Sequence, residues 1–314
     1  MQAMSHSASQ SAKKVRSGAL VGIGLMLLGT FMFSVNDVMG KWLVATYSVG
    51  QVLLLRSIAA LAILLPLMHR QNIPLKVPPQ SWLHAVRILL STLEVACFYW
   101  AVTYLPLADV MTYYLAAPIY VAAFAVFWLG EKIDRPRILA IGVGFIGVLI
   151  ALRPSTATIS WPAFIALAGS VFYSLLMITT RKLRDTDDGT LVLGQMLGNL
   201  IFGIAVAPFA WVTPRWLDLA GLFLLGVVSM AAHACVNRSL KIAPASVVAP
   251  YQYTLIIWAI VLGYLAFGDI VEFWTLVGAA VICTAGLVLL LLEREAARRG
   301  RVPKDIEEPV LPEA

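Results

Sequence analysis

Apolar residues do not alternate along this chain. They come in long runs, each near the length of a membrane-crossing helix, broken by short polar punctuation. Ten runs can be drawn, at 18–43, 50–69, 82–103, 107–129, 137–153, 161–182, 189–211, 217–239, 245–267 and 273–292. A helix needs roughly 20 apolar residues to cross a hydrocarbon core. The breaks hold Pro, Gly or charged residues, and none leaves room for a soluble domain. The pattern predicts an all-α polytopic membrane protein with ten transmembrane helices. A tail at 1–17 precedes them and a charged tail at 293–314 follows, and both are expected to be largely disordered.

The fourth run has an echo. Pro106 to Lys132 reads PLADVMTYYLAAPIYVAAFAVFWLGEK, and Pro244 to Asp269 reads PASVVAPYQYTLIIWAIVLGYLAFGD. Setting Pro106 on Pro244 sets Tyr113 on Tyr251, Gly130 on Gly268 and Glu131 on Asp269 without a gap. Likewise Gly29 to Ser34 resembles Gly169 to Ser174, and Lys41 falls on Arg181. The chain therefore reads as a duplication, residues 18–153 and 161–292. Five spans per copy is an odd number, so the second copy enters the membrane from the opposite side. Such inverted repeats recur in secondary transporters, with the substrate held near the midplane between them.

Composition agrees: of 314 residues, 60% are hydrophobic and only 13% charged, more apolar surface than a soluble protein of this size can hide. Charge placement sets an orientation. Lys13, Lys14, Arg16, Arg70, Lys76, Lys132, Arg135, Arg137, Lys182 and Arg184 fall on one side, while the other has little beyond Arg153 and Arg215. Basic residues mark the cytoplasmic side, so both termini are expected there, in a multi-pass protein of the cytoplasmic (inner) membrane. No cleavable signal peptide is evident. Cys97, Cys235 and Cys283 lie inside apolar runs without metal or disulfide spacing and read as packing residues.

These features resemble the EamA-type transporters of the drug/metabolite transporter superfamily. The resemblance is carried by Asn36 with Lys41, Arg56, Tyr99-Trp100-Ala101 before Pro106, Pro118, Gly130-Glu131-Lys132, Gly142 and Gly147. In the second copy it is carried by Pro244, Gly268-Asp269, Gly278 and Gly286. It implies ten helices in two inverted halves and transport of a small metabolite such as an amino acid, nucleoside, vitamin or drug. It also implies that helices one, three, four, six, eight and nine surround the cavity. The ninth run departs from the fourth, with Ile256 where Pro118 has its counterpart and Pro250 about one and a half turns earlier.

Charges inside the spans each need a partner or a purpose. Asp37 and Lys41 are four apart on one helix and could neutralise each other, or Asp37 and Asn36 could line the cavity. Glu94 falls midway along the third run, with Arg87 two turns earlier and Arg56 on the second helix within reach. It reads either as a buried Glu–Arg bridge or as a carboxylate that carries a coupling proton or meets a cationic substrate group. Its repeat counterpart is Ala232. His233 and Asn237, four apart on the eighth run, read as interhelical hydrogen bonds or as a substrate-orienting pair. Tyr113, Tyr114, Tyr251, Gln252 and Tyr253 cluster in equivalent segments and suit a planar ligand, or serve packing. Gly22-Ile23-Gly24 and Gly142-Val143-Gly144 read as close helix packing, not as dinucleotide loops.

No Walker A loop, nucleophile elbow, HExxH or haem motif occurs, so neither ATP coupling nor a cofactor is expected. The leading expectation is a secondary transporter, not an enzyme, with a lipid bilayer and a small molecule as partners and no nucleic acid. The phenols tilt the substrate toward an aromatic metabolite such as riboflavin, with amino acids or an S-adenosyl compound next. The alternatives are an intramembrane lipid-modifying enzyme, a structural membrane partner or an ion channel. Monomer and homodimer both stay open.

Overall fold

The computed structural model describes residues 2–70, 80–117, 119–120, 124, 135–152, 160–183, 186–242 and 249–298. The described residues form α1 (Gln2–Val44), α2 (Val49–Arg70), α3 (Ser81–Tyr104), α4 (Leu107–Leu115), α5 (Arg135–Leu152) and α6 (Trp161–Lys182). They continue with α7 (Asp188–Val206), α8 (Trp216–Ile242), α9 (Thr254–Phe267) and α10 (Phe273–Arg298). Among the described residues six helices are long and apolar enough to cross a membrane: those over Leu20–Val44, Val49–Arg70, Ser81–Tyr104, Trp161–Thr180, Asp188–Ala210 and Trp216–Val236. Shorter apolar helices run over Ile138–Ala151, Tyr251–Phe267 and Phe273–Val288. Only the start of the fourth run is described; Pro118, Gly130-Glu131-Lys132, Pro244 and the tail beyond Arg298 lie outside the described residues.

Element boundaries follow local chemistry. The expected disordered tail is helical from Gln2, because Met4 to Ser17 holds neither Pro nor Gly to stop a helix from growing backward. Asp187 caps α7, its carboxylate accepting from Gly189 N at 2.7 Å. The seventh run ends α-helically at Val206 and tightens into a 3-10 turn, Ala207–Ala210, around Pro208. The ninth run also differs from expectation. Its described part begins with a 3-10 turn, Ala249–Tyr253, that contains Pro250, and continues as α9. Gly268, at φ +67°, ends α9 in the left-handed region.

The helices pair in a pattern that repeats itself. α1 packs along α8, α3 along α6, α2 along α7, α5 along α10, and α4 against α9. Advancing every helix by five turns α1–α8 into α6–α3 and leaves the other three pairs as they were. This packing is the counterpart of the sequence echo. Large apolar side chains such as Trp42, Leu65, Leu139, Ile201 and Leu265 stand on the outside, where a bilayer would cover them. The inside holds the polar groups: Asn36, Gln51, Arg56, Arg87 and Asn199 are buried.

Not every glycine expected to mark close packing does so. A Cβ at Gly24 or Gly142 would meet nothing within 4 Å, whereas one at Gly144 would run into Ile119.

Candidate functional site

The site is built around Arg56, about a third of the way along α2 and 3% exposed. Its Nη1 donates to Tyr99 Oη at 2.6 Å and its Nη2 to Ser229 Oγ at 2.7 Å. The guanidinium also lies 5.4 Å from the Tyr99 ring centroid, within cation–π range. Tyr99 then donates to Asn36 Oδ1 at 3.3 Å, and Asn36 Nδ2 donates to the Leu225 carbonyl at 2.8 Å. One hydrogen-bonded chain thus crosses α2, α3, α1 and α8. It meets both terminal nitrogens of a charge that hydrocarbon alone would not tolerate, while Arg56 Nε stays buried without a hydrogen-bond partner.

Two glycines admit this chain. A Cβ at Gly40 of α1 would lie 2.8 Å from Tyr99 Cζ, and one at Gly226 of α8 would strike the Arg56 carbonyl oxygen. Both helices approach their neighbours at the level of the network because neither carries a side chain there.

The carboxylates do not pair as their spacing suggests. Lys41 turns away from Asp37 and bridges Asp269 Oδ2 at 2.5 Å. Arg87 turns away from Glu94: its Nε donates to Thr180 Oγ1 at 3.0 Å and its Nη1 to the Leu191 carbonyl at 2.9 Å. Seven residues of helix separate Arg87 from Glu94 by about 10 Å, while α6 and α7 bring acceptors directly to Arg87. Neither Arg87 nor Arg56 forms an ion pair with Glu94 among the described residues. Asp37 and Glu94 lie within electrostatic reach of Arg56 and of each other. Among the described residues neither carboxylate accepts a hydrogen bond or an ion pair.

The other expected residues separate into two groups. Tyr114 reaches the site, its hydroxyl donating to the Glu94 backbone carbonyl at 3.2 Å. Its ring stands 5.5 Å from Phe98 and 6.0 Å from Tyr173, giving an aromatic wall beside Glu94. His233 is one turn from Ser229, with Nδ1 2.8 Å from the Ser229 carbonyl and its ring edge-on to Phe33 at 4.7 Å. Tyr113 instead packs in the main apolar core, 6% exposed. Tyr251 sits in another cluster with Ile23, Met26 and Val236, and Gln252 is half-buried beside it. The two phenols share a repeat position but not a place, because Tyr113 stands on an α-helix and Tyr251 in a 3-10 turn. The side chain of Asn237 lies outside the described residues.

Two site residues had no functional reading from sequence. Tyr99 could have been found as the phenol nearest the level of Glu94 on the same helix. Ser229 carries no local signal, since a serine in an apolar helix is common. No group of three or more His, Cys, Asp or Glu that could hold a metal occurs among the described residues.

A family profile described as the EamA-like transporter family matches residues 20–153 and again 160–292. The chain is 25% identical over 281 residues to the S-adenosylmethionine uptake transporter of Rickettsia felis, covering 89% of this chain and 96% of the relative. It is 26% identical over 273 residues to the pseudopaline exporter of Pseudomonas aeruginosa, covering 85% and 95%. A solved crystal structure shares the fold at TM-score 0.59 and 16% identity, covering 89% of this chain and 99% of that one.

Proposed function

Because the chain belongs to the EamA-like transporter family, we propose that it moves a small metabolite across the cytoplasmic membrane by alternating access. It is a multi-pass membrane transporter, and the intramembrane-enzyme reading falls away with that membership. In the proposed mechanism two inverted halves, 18–153 and 161–292, rock around the Arg56–Tyr99–Asn36–Ser229 network, with both termini in the cytoplasm. The observation that carries this reading is the network itself, a hydrogen-bonded polar chain between helices of both halves in the middle of an apolar bundle.

The substrate we favour is an S-adenosyl compound. One relative is named for S-adenosylmethionine uptake, and a polar interior beside the Tyr114–Phe98–Tyr173 wall suits an aromatic base joined to a polar chain. Riboflavin loses its warrant, because it rested on phenols converging, and Tyr113 and Tyr251 do not converge. Asp37, Glu94, Tyr114 and His233 are the proposed substrate-facing residues, while Arg56, Tyr99 and Asn36 hold the helices at the site.

The test is counterflow in proteoliposomes. Vesicles loaded with S-adenosylmethionine are expected to accumulate the labelled compound from outside, and riboflavin is expected to give none. Absence of counterflow with S-adenosylmethionine, amino acids and riboflavin alike overturns the transporter reading of this site.

A further inference from the structure

Two acids and one base meet at the level of the network, and the base has only its Nε without a hydrogen-bond partner. Both Nη groups of Arg56 are spent on Tyr99 and Ser229. The two further cations that sequence spacing offers to these acids are spent elsewhere, Lys41 on Asp269 and Arg87 on Thr180 and the Leu191 carbonyl. His233 directs Nδ1 to a backbone carbonyl within its own helix. Asp37, 9% exposed, and Glu94 are thus left without a hydrogen bond or an ion pair among the described residues. Two carboxylates against one guanidinium leave the cluster one negative charge in excess when both are ionised. A surplus charge at membrane depth costs at least about 2.5 kcal/mol unless something neutralises it.

We propose that Asp37 and Glu94 form a cation subsite and are the residues that select a substrate bearing a positive charge, such as a sulfonium or an ammonium. This rests on the transporter reading above and deepens it. The surroundings fit a soft cation. Tyr114 and Tyr173 place phenol rings beside Glu94, and aromatic faces attract organic cations in addition to carboxylates. A neutral analogue of the same shape leaves both acids unpaired and is rejected for that reason, as sites built around a polar partner reject ligands that lack it. Asp37 comes from α1 and Glu94 from α3, so a bound cation also draws together two helices whose other contacts include Asn36 and Tyr99.

The experiment uses matched pairs that differ in charge. The first pair is S-adenosylmethionine, a sulfonium, with S-adenosylhomocysteine, the thioether that lacks the methyl group and its charge. The second is tryptamine with neutral N-acetyltryptamine. Binding is measured calorimetrically to the full chain in nanodiscs at constant pH and salt. The cation of a pair is expected to bind at least about ten-fold tighter than its neutral partner. Asp37→Asn and Glu94→Gln are each expected to shrink that ratio, and the double variant to bring it within about two-fold of parity. The ratio is read within one preparation, so partial loss of folded protein does not mimic the effect. Glu94→Gln stands alone if Asp37→Asn fails to fold.

Preference in the indole pair with no adenosyl binding removes the S-adenosyl reading and leaves the cation subsite standing. Equal binding of both adenosyl compounds without a preference in the indole pair leaves the S-adenosyl reading and overturns the subsite; the indole pair decides here because S-adenosylhomocysteine keeps an α-ammonium that the acids can hold. A preference that survives in the double variant, or no binding by either cation, also overturns it.

Discussion

Lys41 Nζ lies 2.5 Å from Asp269 Oδ2, across 228 residues of chain. The same carboxylate oxygen accepts from Leu107 N at 3.4 Å, and Lys41 stands over the Phe267 ring at 4.6 Å. One ion pair therefore fastens the end of α1 to the start of α4 and to the link between α9 and α10, tying the first half to the second. The side chains are 15% and 19% exposed. Their pairing belongs between a surface bridge, about 0–1 kcal/mol, and a buried one, whose breakage costs about 3–5 kcal/mol. Lys41→Met is expected to lower stability by about 1–3 kcal/mol. In a double-mutant cycle with Asp269→Asn, unfolding in detergent is expected to show the two changes coupled. Additive losses would mean that the pair does not hold the halves together.

Tyr99→Phe removes one hydroxyl and strands two groups, Arg56 Nη1 and Asn36 Oδ1. Leaving a buried donor unpaired costs about 1–3 kcal/mol, more where the donor is charged. The variant is expected to unfold earlier by that order in thermal denaturation. Arg56→Lys is expected to do worse, since one ammonium cannot reach Tyr99 and Ser229 in the planar geometry that a guanidinium provides. A Tyr99→Phe protein as stable as the parent would show that the network carries no stability.

Gly226→Ala places a methyl group against the Arg56 backbone, and Gly40→Ala places one in the Tyr99 ring. Overpacking of this kind costs about 1–3 kcal/mol. Both variants are expected to melt lower, whereas Gly142→Ala, whose methyl would meet nothing within 4 Å, is expected to melt with the parent. Equal melting of all three would mean that the helix approaches at Arg56 and Tyr99 are not tight.

Tyr113 and Tyr114 are neighbours with opposite expected phenotypes. Tyr113→Ala opens a hole in the main core and is expected to cost about 3–5 kcal/mol, as large-to-small aromatic changes do. Tyr114→Phe keeps the ring and loses only the bond to the Glu94 carbonyl, about 0.5–1.5 kcal/mol. Stability is therefore expected to fall far more in the first, while substrate affinity at matched folded fraction is expected to move only in the second. Unfolding scans and binding titrations of both variants separate the two effects.

Tyr47 lies in the turn after α1 and donates to Asp218 Oδ2 at 2.6 Å. That bond holds the phenol above its ordinary pKa. Its stabilising contribution is fully present below the ordinary tyrosine pKa, about 10, and is lost as pH rises through the raised value of the folded state. A Tyr47→Phe variant is expected to lose stability at neutral pH and to lack that alkaline decline. The pH profiles of the two melting temperatures check it.

The all-helical class, the positions of the described helices and the two-copy pattern were legible in the sequence for a one-dimensional reason. Hydrocarbon demands a fixed length of apolar residues and satisfies the backbone only within a helix, so each span is written locally, and the echo of Pro106 in Pro244 is visible by alignment alone. The presence of a polar site was equally legible, because Asp37, Arg56 and Glu94 cannot sit at membrane depth without consequence. Their partners were not. Sequence offered Lys41 to Asp37 and Arg87 to Glu94, the neighbours on the same helix, yet Lys41 went to Asp269 and Arg87 to Thr180 and Leu191. Arg56 took Ser229, 173 residues away. Which side chains meet depends on which helix faces lie together. That is decided between helices, by close approaches such as Gly226 on Arg56 and Gly40 on Tyr99, and no local spacing records it.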